Sequence, residues 1–284
     1  MGRLTQNLLS PQLDTRKTFE YNLSFLIGID RFFYFIHDAF DQCLALRAYH
    51  FDQQTHYVQL KPLIQECLVN DKLVNHAFAQ VTVGFATESF TLVPSHLFRK
   101  KQMELYARSG FTKEIRDQLL KGYVPSIDAY TVYAFNQDIV DLLSAYFKGA
   151  KFHHISRPLI AHWDRSAGAV KEARLYVNIR GSRIEMGAFK KGKLLLFNVF
   201  TFKHTDDFLY YLLLVIKQLG WNPEKVLVLM SGEITTESTI FQRSLSLVRH
   251  LELMPSIDYI RSDRLFDGIP SHAFHDLIAL KLCE

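Results

Sequence analysis

The sequence predicts an α/β fold built twice, each half a mixed sheet of three antiparallel strands followed by βα units. Three observations carry this. The stretch ARLYVNIRGSRIEMGAFKKGKLLLFNVFTF, residues 173–202, reads as three short apolar runs broken by two tight turns, the pattern of a strand meander. A shift of 150 places Phe25, Ile27 and Ile29 on Leu175, Val177 and Ile179, and Leu44 and Leu46 on Leu194 and Leu196, with no gap opened. The turns Asp30-Arg31 and Asp41-Gln42 then fall on Arg180-Gly181 and Lys191-Gly192. Third, each meander is followed by helical periods that alternate with short apolar strands. The expected domains are 1–168, with an insertion at about 94–125, and 169–284.

In chain order, residues up to about 17 are polar with one proline and read as a loosely held arm. Strands are expected at 22–29, 32–37 and 43–51. The middle one is aromatic on both faces, Phe33 and Phe35 against Phe32 and Tyr34, so it belongs in a sheet centre covered on both sides. In 56–70, Val58 and Leu60 precede a helix at 62–69; 78–86 and 89–93 read as a hairpin, and Pro94 opens a helix to about 109. The charged, weakly patterned 113–124 is an excursion or an edge, and 129–135 is a strand. Ile139, Leu142, Leu143 and Tyr146 repeat at helical spacing, and Gly149 supplies the stop. A strand at 152–155 and a helix at 157–168 lead to the soft boundary Ala167-Gly168-Ala169. After the second meander come a helix over 206–219, capped by Thr205 with Asp206 and Asp207 complementing its dipole, and an apolar strand over 225–230. A helix over 235–249, a strand over 251–254 and a closing helix over 271–282 complete the chain.

Composition excludes several classes. The 33 basic and 29 acidic residues nearly balance, and the basic clusters Arg99-Lys100-Lys101 and Lys190-Lys191 with Lys193 read as solvated faces, so no nucleic-acid partner is expected. No apolar run reaches the ~18 residues of a membrane span, and the first residues lack the apolar core of a secretory signal. Gly2 fits a myristoylation motif poorly because Gln6 stands where a hydroxyl residue is wanted. Cys43, Cys67 and Cys283 share no metal-type spacing and read as small buried hydrophobes in a reducing, cytoplasmic compartment. His153 and His154 are adjacent on a strand and point to opposite faces, so no metal site is expected there or at His162.

Three antiparallel strands followed by βα units, duplicated in one chain, resembles the actin-like ATPase (ribonuclease H-like) superfamily of sugar kinases, Hsp70 and actin. The segments RLYVNIRGSRIEMGAFKKGKLLLFNVF, VLVLMSGEI at 226–234 and FDGIPSHAFHDLIALKLCE at the end resemble an uncharacterised Bacteroidetes family, domain of unknown function 3822, with this fold. The pattern covers nearly the whole chain. It is also similar to the cytoplasmic platform proteins of type IV pilus and type II secretion machines. The resemblance implies a fold and no established activity.

In the superfamily the first hairpin of each half wraps the phosphates of ATP with a run such as D-x-G-T. Glycine lets backbone N–H groups approach phosphate oxygens, and a nearby carboxylate holds magnesium through water. Carried over residue by residue, Asp30 falls on the family aspartate, with Phe32 and Phe33 replacing the glycine and threonine. Matched through the internal repeat instead, Gly28 falls on the aspartate and Asp30-Arg31 stays in the turn; neither alignment keeps the glycine beside a small hydroxyl residue. In the second half Asn178-Ile179-Arg180-Gly181-Ser182 matches the run, with Asn178 for the aspartate and Arg180 for the first glycine. Gly181 and Ser182 would shape an anion nest; the simpler reading is a type I′-like turn. The adenosine segment, an apolar strand ending in Gly-Gly, survives as Ser231-Gly232-Glu233; the simpler reading is that Gly232 turns the chain and Thr235 or Thr236 caps a helix. Asp30, Asn178, Arg180, Gly181, Ser182, Ser231, Gly232 and Glu233 are therefore the candidate remnant of a nucleotide cleft. No catalytic residue is assigned, and no cofactor is expected, ATP with magnesium being the ligand to test.

Two functional classes remain open. One is a non-catalytic scaffold that binds another protein, favoured by the lost phosphate-loop glycines. The other is an ATP-binding conformational switch. A kinase ranks lowest, because Asn178 stands where its general base is wanted.

Overall fold

Backbone pairing, rather than apolar pattern, makes the first strand. Residues 3–9 have a weak alternation, yet β1 (Arg3–Leu9) pairs antiparallel along an outer edge, where hydrogen bonds suffice without a buried face. The loose arm expected there is corrected to a strand. The computed structural model describes residues 2–51, 57–114, 116–168, 170–262 and 265–284; His56 and Ala169, where an expected segment and the expected second domain begin, lie outside them. The chain divides into two compact units. The first holds Met1–Pro158, Asp258–Gly268 and Leu277–Glu284; the second holds Leu159–Ile257 and Ile269–Asp276.

In the first unit, β2 (Asn22–Gly28), β3 (Arg31–His37) and β4 (Cys43–His50) form the meander. A helix, α1 (Tyr57–Asn70), leads to β5 (Gln80–Phe85), which returns parallel to β2. β6 (Phe90–Pro94), the helix α2 (Met103–Gly110), β7 (Asp117–Val124) and β8 (Ala129–Asn136) make the insertion. The helix α3 (Gln137–Tyr146) and β9 (Lys151–His154) follow, and then α4 (Ser156–Ala167), which from Leu159 onward belongs to the second unit. Among the described residues one sheet runs β1-β4-β3-β2-β5-β9 and a second β6-β8-β7. Every residue of β3 is buried, as its two aromatic faces require. Phe25 packs on Phe32 and on Phe147, each at 5.1 Å.

Two further expectations in this unit are corrected. The 78–86 and 89–93 strands exist but are not a hairpin: β5 is buried on both faces beside β2, while β6 joins β8 in the other sheet. Pro94 ends β6, and the helix starts only at Met103; between them the Tyr106 hydroxyl accepts from the Arg99 N–H and donates to the Leu97 carbonyl, holding an irregular loop.

The second unit repeats the meander as β10 (Arg174–Arg180), β11 (Arg183–Lys190) and β12 (Lys193–Thr201). The helix α5 (Thr205–Gln218), β13 (Leu227–Gly232), α6 (Thr239–Leu245), β14 (His250–Leu253) and α7 (His275–Ile278), whose last residues belong to the first unit, complete the chain. The sheet runs β12-β11-β10-β13-β14. On one face Leu175, Val177 and Ile179 meet Phe208, Leu212 and Val215 of α5 in one apolar cluster. On the other, Trp163 of α4 stacks on Tyr176 at 5.7 Å.

Helix ends differ from expectation where side chains found better partners. Asp207, not Thr205, holds the start of α5, accepting from the Lys203 and His204 N–H groups at 3.0 Å each. The expected 235–249 helix shrinks to α6, capped by Ser238 on the Phe241 N–H. The closing helix is one turn, α7, continued as a 3-10 segment over Ala279–Cys283.

The duplication is present, but the shift is not constant. The first hairpins close at Gly28↔Arg31 and Arg180↔Arg183, a shift of 152. By the second turn it returns to 150, where Asp41 (φ 67°) and Lys191 (φ 55°) share the left-handed conformation. An even shift leaves each residue on the same face, so the two-residue slip is invisible to pattern. Asp30 therefore corresponds to Ser182, and Gly28 to Arg180.

Gly187 on β11 lies under the Trp163 indole, where a Cβ would come within 2.4 Å of the ring. Gly187→Ala should lower the thermal midpoint by several degrees through overpacking worth about 1–3 kcal/mol. Scanning calorimetry reads this directly, and an unchanged midpoint would show that the indole has room to move.

Candidate functional site

Seven of the eight candidate residues come together in the second unit; Asp30 belongs to the first. They sit where the β10–β11 turn meets the carboxyl end of β13, the end at which ligands bind in α/β sheets. The parallel pairing of Asn178 with Ser231 and Ile179 with Gly232 brings the two segments together.

The turn itself is Gly181-Ser182. Gly181 has φ 57° and Ser182 stays out of the left-handed region, so glycine is needed at the first central position, the type II′ arrangement and not the type I′-like turn expected. Its N–H, the group that would meet a phosphate, donates instead to Glu233 Oε2 at 2.7 Å. The Glu233 N–H in turn donates to the Ile179 carbonyl at 2.7 Å, which fixes that carboxylate over the turn. Gly232 has φ 90°, and a Cβ on it would fall 2.1 Å from the Ile179 carbonyl oxygen. Close approach of two strands therefore demands this glycine, and its N–H is used by the His272 carbonyl at 2.9 Å.

Arg180 is buried and points inward. Its Nε donates to Asp276 Oδ2 at 3.0 Å and its Nη2 to Asp276 Oδ1 at 2.5 Å, the bidentate geometry of a strong pair. Nη2 also donates to the Ala273 carbonyl at 2.6 Å, and Nη1 lies 3.4 Å from Glu233. The guanidinium packs over the Phe274 ring at 5.6 Å. Burial opposes its charge, but Asp276 and Glu233 outweigh that and hold its pKa above the ordinary value.

Asn178 explains its own identity. Its Nδ2 donates to Glu185 Oε2 at 2.9 Å and lies 3.5 Å from Asp276, while its Oδ1 accepts from the Ser231 hydroxyl at 3.1 Å. An aspartate here would crowd three carboxylates and remove a donor. Ser182 is exposed beside the turn. Thr235 and Thr236 do not cap the next helix; Ser238 does.

In the first unit the corresponding hairpin is engaged in the same manner. Arg31 donates through Nε and Nη2 to the Asp30 carboxylate at 2.7 and 2.6 Å. Each hairpin thus pairs a carboxylate with a guanidinium from its own unit.

Sequence reasoning missed Asp276, Glu185, Ala273 and His272. Glu185 was findable, since correct placement of the turn sets it opposite Asn178. Asp276 lies 96 residues from Arg180 and carries no periodic signal. A histidine pair was also missed: His162 and His275 share a hydrogen bond at 3.2 Å beside Asp276. Burial, then Arg165, lowers the His162 pKa to about 4. Burial, then His162, lowers that of His275 to about 3, against the raising effect of Asp276. His154 bridges the Ser156 hydroxyl and the Thr87 carbonyl at 2.8 and 2.9 Å, and His153 lies 2.9 Å from Arg157. Among the described residues no cluster of three or more His, Cys, Asp or Glu has the geometry of a metal site. Nor is any described helix long and apolar enough to cross a membrane.

The chain belongs to the family described as "Protein of unknown function (DUF3822)", which matches residues 10–251. Among solved structures it is similar to a Bacteroides thetaiotaomicron protein of unknown function with an actin-like ATPase fold. That likeness has 22% identity over 96% of this chain and 100% of the other, with a TM-score of 0.83. It is also similar to a chain of the PilM-PilN type IV pilus biogenesis complex, at 14% identity over 92% and 98% of the two chains and a TM-score of 0.63. No curated protein matches. The fold is that of the actin-like ATPases.

Asn178→Asp should cost roughly 2–5 kcal/mol of stability in urea unfolding, with the larger loss at pH 8 than at pH 5. The new carboxylate, facing Glu185 and Asp276, has a raised folded pKa, so its penalty grows as it ionises with rising pH. For His162 and His275 the sign is opposite. Their folded pKa values, about 4 and 3, lie below the unfolded ~6.5, so stability is full above that pH and falls as pH drops toward 4. The slope is on the order of 1 kcal/mol per pH unit for each ring, and His275→Gln should flatten it.

Proposed function

We propose that this protein is a non-catalytic actin-like scaffold that works in the cytoplasm by binding another protein. The single observation that carries the reading is the Gly181 N–H on Glu233, behind which Arg180 is tied to Asp276. A phosphate arriving at this turn would meet a carboxylate instead of free amides, and the nearest guanidinium is already committed. Asn178 provides no carboxylate for magnesium or for a general base. The PilM chain, solved in a complex with PilN, supports a protein-binding role by analogy of fold alone. Free, buried Cys43, Cys67 and Cys283, whose burial pushes each thiol up to about 12, suit a reducing compartment.

Thermal unfolding with millimolar Mg-ATP, Mg-ADP or ADP should show no shift. A ligand at about 100 times its dissociation constant would add roughly 2.7 kcal/mol and raise the midpoint by several degrees. Such a shift, abolished by Gly181→Val, would replace the scaffold with an ATP-binding switch.

A further inference from the structure

The duplication leaves one sheet edge without its counterpart strand. In the first unit β1 lies antiparallel along the outer side of β4, pairing Leu4 with Tyr49 and Leu8 with Leu46. The third strand of the second meander is β12, and among the described residues its one strand neighbour is β11. It runs nine residues, KLLLFNVFT, with Leu195 half exposed. Native proteins normally cover, charge or bulge an edge of this length and apolarity. A bulge in β12 itself leaves Leu195 without a partner on β11, but the six residues from Leu196 to Thr201 pair in unbroken register. Farther along, the Val199 N–H is met by the side chain of its own neighbour, Asn198 Oδ1, at 2.9 Å, a local stand-in for a strand carbonyl. Both faces are packed, Phe200 on Tyr211 at 4.6 Å and Phe197 on Trp163 at 5.7 Å, so the strand is held extended.

We propose that β12 receives an antiparallel strand from a partner protein, an extended segment apolar at alternate positions with acidic residues at its C-terminal end. This rests on the scaffold reading and gives it a docking site. Strand addition supplies main-chain hydrogen bonds for affinity and alternate side chains for specificity. Charge selects the occupant. Antiparallel addition sets the incoming C-terminal end beside Lys190, Lys191 and Lys193, all exposed at the start of β12. A second copy pairing β12 with itself would bring Lys191 and Lys193 toward the other copy's exposed Lys203, a like-charge contact. The partner is therefore a different chain.

The test titrates the full chain into a fluorescent peptide of alternating valine and threonine ending in two glutamates, and into the same peptide ending in two lysines. Anisotropy should show the acidic peptide binding about tenfold tighter. Val199→Pro removes the outward N–H, a substitution that edge strands tolerate, and should abolish binding while the unfolding midpoint holds. Lys191→Glu with Lys193→Glu should reverse the preference between peptides, which keeps the test decisive if the proline variant misfolds. Failure of both peptides to bind, or binding that survives Val199→Pro, overturns the proposal. So does a wild-type dimer that Val199→Pro makes monomeric, since a second copy would then hold the edge. Nucleotide-induced stabilisation bears on the scaffold reading and leaves the β12 result untouched, so the two failures are distinguishable.

Discussion

The buried pair of Arg180 and Asp276 governs the second unit. A guanidinium out of water is tolerated only if its charge is matched and its donors are used, and breaking such a pair costs about 3–5 kcal/mol. Here Asp276 matches the charge, Ala273 takes a further donor, and Glu233 lies at the third nitrogen. That set of partners is what brings 269–276 into this unit, although the residues on either side of it in the chain belong to the other. It also dictates its neighbours. Once Glu185 and Asp276 flank position 178, an amide fits and a carboxylate does not. The amide at position 178 is thus matched to the local charge.

The two halves have solved one problem differently. Each has a first hairpin held by charged side chains of its own unit. In the first, a carboxylate and the guanidinium next to it in sequence close on each other. In the second, the turn amide is covered by a residue from the end of a neighbouring strand. They diverge again at the outer side of the meander, where β1 covers β4 while β12 has Asn198 meeting the Val199 N–H. The two outer edges can differ in this way without disturbing the core, because an edge contributes hydrogen bonds and little buried apolar area.

Much of the fold is legible in the sequence because burial on two faces leaves a strong mark. β3, with aromatics on both sides, and the second meander, with glycines at its turns, are read with correct faces and nearly correct ends. What escapes is structure held by backbone or by distant side chains. β1 has no buried face to betray it; β5 and β6 look like a hairpin because sequence neighbours usually pair. The slip from 150 to 152 preserves every face and so leaves no trace. At the site, Gly181, Gly232 and Asn178 are conspicuous as residue types, but their reasons are not. Gly232 sits where a Cβ would fall 2.1 Å from the Ile179 carbonyl oxygen, and Asn178 answers to Asp276, a residue near the end of the chain.

The claim that the β10–β11 turn is internally occupied is tested most directly on one proton. In a ¹⁵N spectrum the Gly181 amide, held by Glu233, should shift strongly in Glu233→Gln and stay fixed in the wild type as Mg-ATP is added to millimolar concentration. Movement of that wild-type resonance with Mg-ATP, saturating with concentration, would mean that phosphate displaces the carboxylate, and would contradict the account.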